Sequence, residues 1–122
     1  MTLKVVRNTG LKLKMKEKII WLDDIREPIS LLENGFQKSD IRICRNYSQF
    51  IEAIQKDGLP DMICFDHDLG EEKTGYDCAK FVVDYCIKNK VKLPQWHIQS
   101  MNIVGSLNID GLLKNYKKHE ML

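Results

Sequence analysis

Ile19-Ile20-Trp21-Leu22-Asp23-Asp24 and Met62-Ile63-Cys64-Phe65-Asp66-His67-Asp68-Leu69-Gly70 are the two stretches on which the fold of this chain turns. Each is a short apolar run that ends in carboxylates. A continuous apolar run of this length is the mark of a strand covered on both faces. If the two runs are neighbouring parallel strands, at least four carboxylates converge on one rim of a sheet. Like charges that close repel unless a cation sits among them. A hard divalent ion that accepts few carboxylates and keeps several waters suits such a rim, Mg²⁺ first.

Outward from these runs, strand and helix signals alternate. Pro28 can open a short helix of barely two turns and Gly35 can close it. Residues 41–44 read as a second strand. Asn46 caps the next helix, with Gln49 placed to reach back and Tyr47, Phe50, Ile51 and Ile54 on one face. Gly58 and Pro60 break the chain before the strand at 62–66. Thr74 and Asp77 form a capping box for a helix that buries Ala79, Val82, Val83 and Cys86. Pro94 ends that connection, residues 96–99 make a fourth strand, and a last helix from about Asn102 buries Ile109, Leu112, Leu113 and Tyr116. Such alternation with short links predicts a parallel α/β sheet with right-handed crossovers. Ligands of such sheets bind beyond the carboxyl ends of the strands, where Asp23, Asp24, Asp66, Asp68, Gln99 and Ser100 all fall.

Residues 1–15 stand apart from this pattern. Leu3, Val5, Leu11, Leu13 and Met15 alternate with other residues around Asn8-Thr9-Gly10, which fits a small hairpin or an N-terminal extension. Residues 16–122 are then one domain, as the length of 122 suggests. With 43% hydrophobic and 30% charged residues the chain is globular rather than disordered. A net charge of +2 demands neither a nucleic acid nor a membrane as partner. The four cysteines contain no Cys-x-x-Cys pair, and no signal peptide or apolar 18-mer is present, so a reducing cytoplasm is the expected home.

Each candidate site residue has a chemical and a plain reading. Asp23, Asp24 and Asp66 are the candidate metal ligands; otherwise they merely terminate strands. Asp68, two beyond Asp66, faces the same way if the strand geometry persists; the alternative is an Asx turn into Leu69-Gly70. His67 is the candidate general acid or base, or else an exposed loop imidazole. Arg26 holds a phosphate or neutralises Asp24. Ser100 and Asn102 open the last helix, whose free amides suit an anion, and their alternative is cap chemistry. Asn108, about one turn further, points at the site or into solvent. Gly75 is expected to supply an unusual backbone angle, and Gly105 to permit a close approach of helix to sheet. His97, deeper on its strand, reads as a packed histidine.

In Leu22-Asp23-Asp24-Ile25-Arg26-Glu27-Pro28, Phe65-Asp66-His67-Asp68-Leu69-Gly70, Thr74-Gly75-Tyr76-Asp77 and Ser100-Met101-Asn102-Ile103-Val104-Gly105 with Asn108-Ile109, the chain resembles the cyclic-phosphate processing receiver family. The resemblance runs from about residue 18 to 118. It implies a receiver-like, flavodoxin-like parallel sheet of about four strands in the order 2-1-3-4, with a short first helix. Ordinary receivers have a fifth strand and a switch lysine, for which no counterpart is expected after the fourth helix. Gln99 stands where the family usually has a histidine before the serine, and Ile103 where proline is usual.

What the resemblance implies is a metal-dependent phosphoesterase acting on a cyclic phosphate or related phosphoester, in a small molecule or at an RNA end. Asp23, Asp24 and Asp66 then hold Mg²⁺ or Mn²⁺, and His67, Asp66 and Asp68 are catalytic. Arg26, Ser100, Asn102 and Asn108 bind substrate. The competing expectation is a non-catalytic receiver-like signalling or binding module that uses the same pocket for a metal or a phosphoryl group.

Overall fold

A computed structural model describes residues 17–120. The expected hairpin or extension at residues 1–15 lies outside the described residues. Four parallel strands, β1 (Ile19–Leu22), β2 (Ile41–Cys44), β3 (Met62–Phe65) and β4 (Gln95–Ile98), form one sheet in the order β2-β1-β3-β4. The helices are α1 (Ile29–Glu33), α2 (Tyr47–Asp57), α3 (Gly75–Asn89) and α4 (Ile103–Glu120). This is the receiver-like architecture expected from the alternation of elements.

Period-2 geometry divides each strand between two faces. Ile20, Leu22, Ile63 and Phe65 pack with Phe50 and Ile54 of α2, Ala79 and Val82 of α3, and Ile109 and Leu113 of α4. Ile19, Trp21, Met62 and Cys64 form a second cluster with Leu31 of α1 and Phe36. Side chains as fully buried as Leu22 and Phe65 contribute roughly 1.5–3 kcal/mol each through lost water contact, which is enough to hold the strand ends in register. The cysteines join this packing: all four are buried and free, and burial pushes the Cys64 thiol up to about 12. They are inert fillers rather than nucleophiles.

Local capping follows the sequence closely. Thr74 Oγ1 accepts from the amides of Tyr76 and Asp77, and Asp77 Oδ2 accepts from the Thr74 amide at 2.8 Å. Asn46 Oδ1 accepts from the Gln49 amide at 2.8 Å, whereas the Gln49 side chain reaches past the cap to the Arg45 amide at 2.7 Å. Gly35, at φ 96°, follows the brief α1.

The crossover from β1 leads outward to β2, and the next one returns past β1 to β3. The strand order therefore reverses between β1 and β3. The crevice that such a reversal opens lies beyond Leu22 and Phe65, where Asp23 and Asp66 follow.

Candidate active site

Asp23 continues the ladder just past β1, its amide donating to the Cys44 carbonyl at 3.1 Å. Its side chain is 1% exposed. Oδ1 accepts from the amides of Ile25 and Arg26 at 3.1 and 2.8 Å, which folds the loop after β1 into an Asx turn. Oδ2 is buried and has no hydrogen bond. A buried carboxylate oxygen in that state costs free energy unless something cationic answers it.

Arg26 answers it in part. Its Nε lies 3.0 Å from Asp23 Oδ2 and its Nη2 3.5 Å from Asp66 Oδ1. The guanidinium thus bridges Asp23 and Asp66, and no ion pair with Asp24 forms. Arg45, which sequence reasoning missed, secures the same loop. Its Nη1 donates to the carbonyls of Asp23 and Arg26 at 3.1 and 2.8 Å, and its Nη2 pairs with Glu27. No local pattern flags a residue that works on a loop twenty positions away.

One oxygen each from Asp23, Asp24 and Asp66 lies within 4.8 Å of the others. Oxygens that share one Mg²⁺ at about 2.1 Å are at most about 4.2 Å apart, a span of the same order as this grouping. The donors are all carboxylates, two of the residues are buried, and Asp23 Oδ2 has no hydrogen bond; this set fits a hard divalent cation. Burial, then the charge of Asp23, raises the Asp66 carboxyl to about 6; Arg26 and the Ser100 hydroxyl act the other way and Asp24 adds to the rise. The cluster is therefore short of positive charge.

Asp68 does not join it. The chain leaves extended geometry after Phe65, so the two-residue period fails and Asp68 turns outward, 67% exposed. Its Oδ1 meets His67 Nδ1 at 3.0 Å, and Asn102 Nδ2 lies 3.4 and 3.3 Å from its two oxygens. These bonds hold the Asp68 carboxyl below its usual range, the one from His67 most. The His67 ring is 17% exposed and lies against the backbone of α4, where a Cβ on Gly105 would overlap it. His67 Nε2 has no hydrogen bond among the described residues.

Gly75 corrects an expectation. Its φ is not positive, and what demands glycine is the Asp66 carbonyl, which a Cβ at 75 would strike. The Gly75 amide donates to the His67 carbonyl at 2.7 Å, so the start of α3 rests directly on the acidic strand end. Gly70 is the glycine with unusual geometry, at φ 69°, backed against Asp24 Oδ2.

At the β4 end, the Gln99 amide continues the ladder to the Phe65 carbonyl at 2.9 Å, and its Nε2 crosses to the Leu22 carbonyl at 3.0 Å. In this chain the residue before Ser100 is thus a staple across three strand ends. Ser100 Oγ accepts from the Asn102 amide at 3.0 Å, and Asn102 Oδ1 caps α4 through the Gly105 amide at 2.8 Å. Asn102 spends its side chain on this cap and on the Asp68–His67 pair. Asn108 is exposed on α4, with no hydrogen bond to the acidic cluster. His97 is half-buried, and burial lowers its pKa.

The model of the cyclic-phosphate processing receiver domain matches residues 18–115, which include every element of this sheet and both acidic strand ends. The chain belongs to that family. A solved structure of yeast Spc42 trimeric coiled-coil amino acids 181–211 in a fusion is similar, with a TM-score of 0.57 at 20% identity. The match covers 79% of this chain and 61% of that one, less than two thirds of its length, and is a likeness of fold alone. No curated protein matches. The receiver-like domain has no helix, among the described residues, long and apolar enough to cross a membrane.

Proposed function

We propose that this receiver-like domain is a metal-dependent phosphoesterase acting on a cyclic phosphate or related phosphoester, in a nucleotide or at an RNA end. The observation that carries the reading is Asp23 Oδ2, buried without a hydrogen bond in a cluster with Asp24 and Asp66. Mg²⁺ or Mn²⁺ held by these three residues supplies neutralising charge and Lewis acidity toward a phosphoryl oxygen.

The chain's own groups do the rest. His67 is tied through Nδ1 to Asp68, which orients the ring and leaves Nε2 to give or take a proton. Asp68 and Asn102 act on the substrate through that orientation. The Ser100 hydroxyl and the amides of Ile103 and Val104, at the start of α4 before the capped Gly105 amide, bind phosphate oxygens. Residues 16–122 act as the functional domain, and four buried free thiols are in keeping with a reducing cytoplasm.

The test is turnover of 2′,3′-cyclic nucleotides and cyclic-phosphate-ended RNA with Mg²⁺ or Mn²⁺, for wild type and Asp66→Asn. Metal-dependent cleavage that disappears in Asp66→Asn is the expected result. A wild type that leaves the whole panel intact overturns the assignment.

A further inference from the structure

The acidic cluster already carries a cation, and it belongs to the protein. Arg26 touches Asp23 Oδ2 and Asp66 Oδ1 at 3.0 and 3.5 Å, yet Oδ2 has no hydrogen bond because the Nε–H is not aligned on it. The contact at 3.5 Å is longer than an ordinary N–H···O bond. The Arg26 side chain is 45% exposed, while those of Asp23 and Asp66 are 1% and 7% exposed. The guanidinium thus covers the cluster from the solvent side without satisfying it.

The backbone of Arg26 is held separately. Its amide donates to Asp23 Oδ1 at 2.8 Å, and its carbonyl accepts from Trp21 Nε1 at 3.0 Å and Arg45 Nη1 at 2.8 Å. The residue stays in place whatever its side chain does. The guanidinium itself is held by its ion pairs with Asp23 and Asp66.

We propose that Arg26 is a tethered counter-ion that a divalent cation displaces from Asp23 and Asp66, and that the displaced guanidinium then binds the phosphoryl oxygens of the substrate. This rests on the reading of Asp23, Asp24 and Asp66 as cation ligands. Charge and distance decide the competition. A divalent ion has twice the charge and lies about 2.1 Å from its oxygens, so its attraction to each is about three times that of the guanidinium. The waters it keeps limit its dehydration cost. Once released, the guanidinium offers a planar fork that matches phosphate, beside the rim where phosphate binds.

A single substitution then has two effects of opposite sign. In Arg26→Gln the carboxylates lose their competitor, and Mn²⁺, followed by electron paramagnetic resonance of the free ion, binds about three- to tenfold more tightly. Inorganic phosphate titrated at saturating Mn²⁺ binds about tenfold more weakly or worse. Arg26→Lys retains the charge without the fork, so it keeps near-wild-type Mn²⁺ affinity and still loses phosphate. A residue with a merely structural role would weaken both ligands together. Mn²⁺ affinity that is unchanged or weaker in Arg26→Gln overturns the displacement and leaves the metal reading standing. Unchanged phosphate affinity overturns the second step. Failure of both wild type and variants to bind Mn²⁺ overturns the metal reading, and the proposal with it.

Discussion

The two rims of the sheet treat their acids in opposite ways. At the amino rim three acids have partners of their own: Asp57 pairs with Arg42 at 3.1 Å, Asp40 accepts from the Gln37 amide, and Asp61 accepts from the Lys18 amide at 2.8 Å. A cavity of about 240 Å³ opens there, lined by Lys18, Asp40, Arg42, Asp57 and Leu59 among others. At the carboxyl rim Asp23 and Asp66 share one guanidinium, Asp24 clusters with them without an ion pair to it, and no residue of the cluster lines that cavity. Unanswered charge, and not the size of a hollow, sets the carboxyl rim apart.

Asp66→Asn is the strongest test of that contrast. It removes a proposed cation ligand and a like-charge repulsion at once. Metal-free protein should melt at a higher temperature than wild type, and the stabilisation by Mg²⁺ or Mn²⁺ should vanish. In wild type at a hundredfold excess over Kd that stabilisation is about 2.7 kcal/mol, a shift of several degrees by calorimetry. A metal-free melting temperature below that of wild type would break the comparison.

The pH dependence should be of similar size. The folded-state value of Asp66, about 6, lies above its ordinary 3.8, so the native state holds this proton more tightly. The resulting stability is full below about 3.8 and is lost as pH rises through about 6, on the order of 3 kcal/mol in metal-free protein. Metal binding competes with the same proton, so the metal-induced shift should grow over that window. Denaturant titrations at pH 4, 5, 6 and 7, with and without Mg²⁺, check both signs.

Gly105→Ala sharpens the picture within the carboxyl rim. Alanine favours the helix by about 1 kcal/mol, which offsets part of the cost of pushing the His67 ring aside. Stability should change by less than about 1.5 kcal/mol and Mn²⁺ affinity hardly at all, while kcat falls about tenfold or more. Loss of metal binding in this variant would show that the His67 and Asp66 sites are not separable.

The smallest effect belongs to the amino rim. Both partners of the Arg42–Asp57 pair are about half exposed. Asp57→Asn should shift stability by less than about 0.5 kcal/mol and leave metal binding and turnover unchanged. A large effect there would erase the distinction between the rims.

Much of this arrangement was readable before any coordinates. The apolar runs marked β1 and β3, the Thr74–Asp77 box marked the start of α3, and Asn46 marked that of α2. The candidate metal ligands Asp23, Asp24 and Asp66 do meet. Strand periodicity would turn Asp68 to the side of Asp66, but it no longer applies once the chain leaves β3. Sequence suggests a special backbone angle at Gly75 and does not show that the Asp66 carbonyl lies against it. Arg45 and Gln99 escaped notice as supports because each acts across a gap in sequence, on loop or strand ends that are distant along the chain.

By itself the sequence determined the succession of strands and helices and the placing of acids at strand ends. Those features depend on side-chain period and cap chemistry, which act over a few residues. Only the tertiary structure decided which acids share a site, that Arg26 bridges Asp23 to Asp66, and that His67 lies on Gly105. These contacts join segments about forty residues apart, and in loops the direction of a side chain follows from what packs against it rather than from any local repeat.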